Sequence, residues 1–199
     1  IVLRLILSGY IIFSATLKKE ITPISATLKD SSVVSDGWVV KKVFEPGKGQ
    51  LNAVTVSRDR NIIIGGESFV ACYDPEFNLL WEFITEMPVT ALTVSGNNVF
   101  AAVQGIILVL NMKGEKVEEW GPFENNSMIT SLASNEVYVA FADAANKTVF
   151  ILDRKGVLKS LIGKSDEPFI ISSPYFDIAL SNNNTLYVSN TGKKRIEKR

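Results

Sequence analysis

Short apolar runs and polar turns alternate along the chain from about residue 50 to its end. Four runs of similar composition each close on a serine, and these serines are Ser57, Ser95, Ser134 and Ser181. Their spacings are 38, 39 and 47 residues. A turn rich in Asn, Asp or Gly follows each serine, because these residues tolerate left-handed backbone or bond their own backbone. The regular spacing predicts a repeated structural unit about 40 residues long.

Within each unit, the pattern predicts further strands after the serine turn. A second β-rich run, a third run that ends in an acidic or amide turn, and a fourth run follow in that order. In the first unit these runs are Ile62–Ile64, Phe69–Tyr73 and Leu79–Ile84. The next two units repeat the order, and the last unit ends within its third run. Each unit is therefore predicted to be four strands joined by tight turns.

Four-stranded units at this period are typical of a β-propeller, in which blades surround a central axis. We therefore expect an all-β protein, a propeller of four-stranded antiparallel blades, with repeat starts near residues 53, 91, 131 and 177. About four blades are covered. A β-sandwich is the competing fold, but a sandwich has no reason to repeat its strand order every 38–39 residues. The longer third interval predicts a loop insertion between residues 163 and 175.

The N-terminal segment differs from the rest of the chain. Residues 1–17 are largely apolar with a single charge, Arg4, and small residues at 14–16. Such a run is shorter than the roughly 20 residues of a membrane span, and its pattern fits a signal peptide. An uncleaved membrane anchor and a buried element of the fold are the alternatives. A signal or anchor predicts an extracytoplasmic protein (secreted, periplasmic or membrane-anchored) that meets a membrane only through this segment, if it is uncleaved.

Residues 18–37 are expected to be an N-terminal extension, and 38–199 the blades. A strand at Trp38–Phe44 precedes the first full unit and has two interpretations. In one, it completes the unfinished last unit and closes a small four-bladed ring. In the other, which we favour, the chain covers an incomplete arc of a larger ring. An unclosed arc would expose strand edges and apolar blade faces.

The last unit resembles the NHL repeat of β-propellers. The resemblance rests on Asp177–Leu180, Leu186–Gly192 and Arg195-Ile196, which follow an Ile-Ala-Val run, a Tyr-Val-Ala-Asp run and an Asn-x-Arg-Ile ending. Asn184 stands where the repeat has a turn glycine, and a lysine occupies the Asn position of the ending. The match covers about 20 residues, and earlier units match more loosely. It implies a ring of six blades in its full form and no single activity, because propellers host many functions.

Composition limits the possible chemistry. The 199 residues contain no His and one Cys, and 21 Lys and Arg balance 21 Asp and Glu. Without His there is no Ser-His-Asp or Cys-His mechanism and no usual general base near neutral pH. Cys72 is expected to be a small buried residue rather than a nucleophile. The balanced charge argues against nucleic acid as a partner, although residues 193–199 carry five positive charges and one negative charge.

Candidate site residues come from the loops at one end of the predicted axis. These loops precede the first strand of a unit or join its second and third strands. The predicted ligand-binding residues are Gln50, Glu67, Glu86, Gln104, Asn126, Asp143, Tyr175 and Asn190. The acidic and Asn side chains among them offer oxygen ligands of the kind that Ca²⁺ takes. The alternative is that all eight are ordinary turn residues facing water.

We expect a non-enzymatic propeller that binds a protein or a small ligand at one face, with no catalytic residues and no cofactor. The alternative function is a calcium-dependent hydrolase of the lactonase or esterase kind. That alternative is implied by the likeness to six-bladed rings and depends on convergence of the oxygen-bearing side chains. Geometry decides between the two, because a metal site requires several of these groups to meet at one point.

Overall fold

The computed structural model describes residues 42–164, 168–171 and 175–199. The predicted signal or anchor at 1–17, the extension at 18–37 and the strand positions 38–41 lie outside the described residues, as does part of the loop insertion. Residues 42–44 are described and belong to no strand. The strands all lie within one compact unit, Phe44–Arg199. No helix in the described part of the chain is long and apolar enough to cross a bilayer.

The described residues of this unit form fifteen strands in chain order. Blade one contains β1 (Leu51–Val56), β2 (Ile62–Gly66), β3 (Phe69–Tyr73) and β4 (Leu79–Ile84). Blade two contains β5 (Val89–Ser95), β6 (Asn98–Val103), β7 (Ile106–Asn111) and β8 (Lys116–Trp120). Blade three contains β9 (Ile129–Ser134), β10 (Tyr138–Asp143), β11 (Thr148–Asp153) and β12 (Leu158–Ile162). Blade four contains β13 (Ile178–Leu180), β14 (Leu186–Asn190) and β15 (Arg195–Lys198), with a 3-10 turn before β15.

Each blade is one antiparallel sheet whose strands pair in chain order. Blades one to three have four strands and blade four has three. The prediction of an all-β propeller with four-stranded antiparallel blades is confirmed. Within the described ranges, no strand of blade four pairs with a strand of blade one, so the strands form an open arc.

The first strands of blades one, two and three begin two residues before the predicted repeat starts at 53, 91 and 131, whereas β13 begins one residue after the predicted start at 177. Each of β1, β5 and β9 carries a register shift near its start, which leaves Asn52, Thr90 and Thr130 as the extra residues. Such a β-bulge re-aims one side chain. Thr90 Oγ1 donates to the Ile129 carbonyl at 2.6 Å, and Thr130 Oγ1 donates to the Phe176 carbonyl at 2.8 Å. The bulge residues of blades two and three thus link each blade to the next.

The fourth strands carry a second repeated bulge. The register shifts in β4, β8 and β12 leave Leu80, Val117 and Lys159 as extra residues with no register partner in the third strand. These strands are the outer edges of their blades, and most of their residues are exposed or half-buried. A bulge therefore recurs near the start of the fourth strand in each four-stranded blade, at the period of the sequence repeat.

The core lies between blades. Three apolar clusters fill the interfaces of blades one and two, two and three, and three and four. Because a middle strand has a blade on either side, all six residues of β6 except Asn98 are buried on both faces. Such strands are continuously apolar, which explains why Val99–Val103 shows no alternation. Phe141 stacks on Phe150 at 4.5 Å between ring centroids within the cluster of blades two and three.

Two tryptophans pack against turn glycines of the following blade. A Cβ at Gly114 would meet the Trp81 ring at 2.7 Å, and one at Gly156 would meet the Trp120 ring at 2.8 Å. Both glycines also have positive φ, +81° and +76°. Trp81 and Trp120 therefore serve blade packing.

Gly156→Ala is expected to lower the unfolding free energy by about 2–4 kcal/mol, because the new methyl group overlaps the indole and the backbone is left-handed. Gly47→Ala is the matched control, since Gly47 also has a positive φ of +68° but nothing lies within 4 Å of its added Cβ. We expect the control to cost about 1 kcal/mol. Urea unfolding followed by tryptophan fluorescence measures both. Equal losses in the two variants would contradict the role of the Trp120 contact.

Candidate functional site

The eight predicted site residues divide by burial. Gln50, Glu67, Glu86, Gln104, Asn126 and Tyr175 are exposed, whereas Asp143 and Asn190 are fully buried. The side chains of the six exposed residues are accessible to solvent. Asp143 and Asn190 are instead hydrogen-bonded within the protein.

Asp143 organises the turn that joins β10 to β11. Its Oδ1 accepts from the backbone N–H groups of Met128, Ala145 and Asn146, and its Oδ2 accepts from the Ser127 hydroxyl and the Asn146 side-chain amide, at 2.7–3.1 Å. A carboxylate offers about four lone-pair sites, so these donors occupy it. Burial alone would raise the pKa of Asp143, but these hydrogen bonds outweigh burial and hold the pKa below its usual value.

Asn190 belongs to a second buried polar cluster, at the end of blade four. Its Oδ1 accepts from the Ile170 N–H at 3.2 Å, and its Nδ2 donates to Glu197 Oε1 at 2.8 Å. Arg195 and Arg199 each form an ion pair with Glu197 at 2.8 Å. Burial would raise the pKa of Glu197, yet the hydrogen bonds from Arg195, Asn190 and Arg199 lower it to about 2. Two of the five positive charges of the C-terminal segment are thus paired within the fold.

A groove between blades one and two brings two of the predicted residues together. Glu86 and Gln104 line a cavity of about 430 Å³. The β4–β5 connection positions Glu86, and its Thr85 is fixed by hydrogen bonds to Ser68 and Met87. Gln104 and Gly105 both have positive φ, +43° and +79°, which is the geometry of a tight type I′ hairpin turn between β6 and β7.

The wall of this groove is apolar and its rim is polar. The apolar lining residues are Phe83, Ile84, Met87, Val103, Ile106 and Leu108. Ile84 is 68 % exposed and Met87 is 40 % exposed. At the far end, Lys116 Nζ lies 2.9 Å from Glu119 Oε2. Within the described part of the chain, neither Glu86 nor Gln104 makes a side-chain hydrogen bond, so both polar groups are free for a ligand.

Sequence reasoning found the polar rim of this groove and missed its apolar wall. No residue of the predicted fourth strand of blade one, Leu79–Ile84, is among the predicted site residues. A usable signal was nonetheless present, because Ile84 and Met87 flank Glu86 at the end of that strand. An apolar pair beside a lone carboxylate in a connecting loop is a common composition for a ligand pocket.

The other predicted residues do not join this groove. Glu67 lies beside the loop that carries Gln50, since a Cβ at Gly49 would be 3.0 Å from Glu67 Oε2. Among residues 42–164, 168–171 and 175–199, no group of three or more Asp, Glu, His or Cys side chains is arranged to hold a metal ion. Cys72 is buried, and burial raises its thiol pKa to about 11, so the thiolate nucleophile is disfavoured.

Comparison with known proteins identifies the fold. No protein-family profile matches the chain, and no curated protein matches it. The computationally designed Ika4 protein is similar in structure with a TM-score of 0.62 and 17 % identity, over 79 % of this chain and 94 % of that one.

A streptogramin B lyase and the virginiamycin B lyase from Staphylococcus aureus are also similar, each with a TM-score of 0.57 and 16 % identity. Each match covers 74 % of this chain, and 53 % or 54 % of the lyase. The chain therefore spans about half the length of the two lyases. At this level of identity the likeness extends to the propeller fold alone.

Asp143→Ala is expected to lower the unfolding free energy by about 2–4 kcal/mol, because it leaves several buried donors without an acceptor. Glu67→Ala is the matched control; its carboxylate is exposed, and we expect a change within about 0.5 kcal/mol. Urea unfolding with and without millimolar Ca²⁺ measures both. A calcium-dependent rise in stability that disappears in the Asp143 variant would contradict the purely structural role.

Glu197→Gln is expected to reduce the loss of unfolding free energy that occurs as the pH falls below 4.5. The lowered pKa means that the carboxylate stabilises the fold fully above pH 4.5 and that this contribution is lost as the pH falls towards 2. At pH 7 the variant should be less stable by about 1–2 kcal/mol. Thermal unfolding between pH 7 and pH 2 measures the effect, with exposed Glu45→Gln as control. A variant profile parallel to that of the wild type would contradict the assignment.

Proposed function

We propose that this chain is a non-enzymatic, extracytoplasmic, NHL-like β-propeller that binds a protein segment or a small ligand in the groove between blades one and two. The groove itself carries the proposal. It combines an apolar wall with two unengaged polar side chains, Glu86 and Gln104, at the end of the ring that the repeat pattern predicts for ligand binding. Concave sites with apolar walls and a few polar groups are where proteins hold ligands.

The chemistry of the groove favours one kind of ligand group. Glu86 is an exposed carboxylate that attracts a cation or a strong hydrogen-bond donor. The apolar wall formed by Ile84, Met87 and Ile106 suits a ring or an aliphatic chain. A molecule with an apolar body and a terminal ammonium group, such as a lysine side chain of a partner or a free arylalkylamine, would satisfy both.

The remaining parts of the proposal rest on sequence features. The NHL-like motif corresponds to β13, β14 and the start of β15, which supports its assignment as a blade repeat. The extracytoplasmic location rests on the apolar run in residues 1–17. Both are independent of the groove.

Binding is favoured over the lyase activity named for two of the similar structures and over calcium-dependent hydrolysis. The 199 residues contain no histidine, so the usual general base near neutral pH is missing from these blades. Asp143 and Asn190, two of the predicted oxygen ligands, hold the blade turns together.

Saturation-transfer NMR with phenethylamine, and with 3-phenylpropionate as the opposite charge on the same apolar body, tests the groove. We expect the amine to bind, and Glu86→Gln to weaken it by about tenfold through loss of the charge interaction. Glu45→Gln is the control, since Glu45 is exposed and lies outside the groove. Equal binding of both probes, or an amine signal unchanged by Glu86→Gln, would overturn the proposal.

A further inference from the structure

A second cavity lies at the opposite end of the blades. The turns that join first and second strands converge there, and the cavity between them has a volume of about 380 Å³. Each blade contributes to its lining, with Arg58 from blade one, Asn97 from blade two, Glu136 from blade three and Asn182 from blade four. None of the residues predicted to bind ligand lies in this cavity.

The floor of this cavity is fixed by buried hydrogen bonds. Asn135 is 4 % exposed, and its Nδ2 donates to the Ser181 carbonyl at 2.8 Å and to Asn184 Oδ1 at 2.9 Å. Its Oδ1 accepts from the N–H groups of Val137 and Tyr138. A single amide thus joins blades three and four directly below the cavity.

Arg154 secures the same floor from blade three to blade two. Its guanidinium donates to the Ser95 carbonyl at 2.8 Å and lies over the Phe100 ring, 4.9 Å from the centroid. Ser95 Oγ donates to the Asn135 carbonyl at 2.8 Å. Because these groups are held by one another, the cavity exists before any ligand arrives, which lowers the cost of binding.

The rim, in contrast, is polar and loosely held. Arg58 and Glu136 form an ion pair of 3.3 Å between blades one and three, yet their side chains are 90 % and 83 % exposed. A pair so exposed contributes little and opens easily. Asp59 adds a second carboxylate to the rim. Within the described ranges, the side-chain amides of Asn97 and Asn182 make no hydrogen bond, and both are available to a ligand.

We propose that this cavity binds a small zwitterion of dipeptide size. Its carboxylate would pair with Arg58, its ammonium group would pair with Glu136 and Asp59, and its peptide group would meet the amides of Asn97 and Asn182. Binding would replace the exposed Arg58–Glu136 ion pair with one ion pair to each end of the ligand. A purely anionic ligand would instead face two carboxylates. The cavity has little apolar lining, with Val94 as its main apolar residue, which disfavours the arylalkyl ligands of the groove.

Isothermal titration calorimetry with the dipeptide Ser-Gly, its N-acetyl form and its C-terminal amide tests this inference. These probes differ mainly in which terminal charge is present. We expect measurable binding of the free dipeptide and weakening by about tenfold or more when either charge is blocked. Arg58→Gln should lower the affinity for Ser-Gly to the affinity that the wild type has for the C-terminal amide. The affinity for the amide itself should not change. Arg60→Gln is the control, because Arg60 lies in the same exposed turn but does not line the cavity.

Several results would overturn the proposal. They are no binding of Ser-Gly at millimolar concentration, equal binding of the three forms, and binding by the wild type that Arg58→Gln and Glu136→Gln leave unchanged. Tighter binding of the amide than of the free dipeptide would assign the cavity to a simple cation and would equally contradict the zwitterion. Phenethylamine binding in the groove is measured in a separate experiment. A failure of Ser-Gly to bind the cavity would therefore leave the proposal for the groove intact, and the reverse also holds.

Discussion

Face-to-face burial of the middle strands is the interaction on which this structure depends. A blade is a sheet too small to bury both of its faces alone, so each needs a neighbour. The β6 strand illustrates the result, since Val99–Val103 are buried on both faces between blades one and three. Thr90 and Thr130 add hydrogen bonds from blade two to blade three and from blade three to blade four. Trp81 and Trp120 close the outer part of the interfaces of blades one and two and of blades two and three. With the interfaces fixed, the connecting turns are brought together at the two ends of the blades.

The two ends use their turns differently. At one end, a groove with an apolar wall carries Glu86 and Gln104, and the nearby turn of Asp143 is rigid because its carboxylate binds five donors. At the other end, Asn135 and Arg154 form a rigid floor under an exposed, mixed-charge rim. Both sites therefore place adaptable polar groups on a scaffold that does not need to reorganise. The ligands that we propose differ accordingly, an apolar amine at one end and a small zwitterion at the other.

The strand order and blade count could be predicted from the sequence because apolar runs and turn residues are local signals repeated at a fixed spacing. The early starts of β1, β5 and β9 could not, since a bulge at Thr90 or Thr130 is set by the neighbouring blade. The grouping of Glu86 with Gln104 followed from loop position. The structural roles of Asp143 and Asn190 could not be predicted from loop position, because the backbone groups that donate hydrogen bonds to them include those of Met128 and Ile170, which are distant in sequence. The second cavity could not be predicted, because Arg58, Asn97, Glu136 and Asn182 lie in four separate turns of the sequence. Only the packing of the blades brings these turns together.

The bulges at Leu80, Val117 and Lys159 have a consequence for solubility. The outermost strand of a blade presents unpaired backbone groups, which are a template for strands of other molecules and hence for aggregation. A bulge near the start of each outer strand breaks the regular spacing of those groups and twists the edge. Charged residues at the same edges, among them Lys116, Glu119 and Lys159, would lose solvation if a strand of another molecule paired there. The bulge repeated in the three four-stranded blades thus disfavours edge-to-edge pairing of one molecule with another.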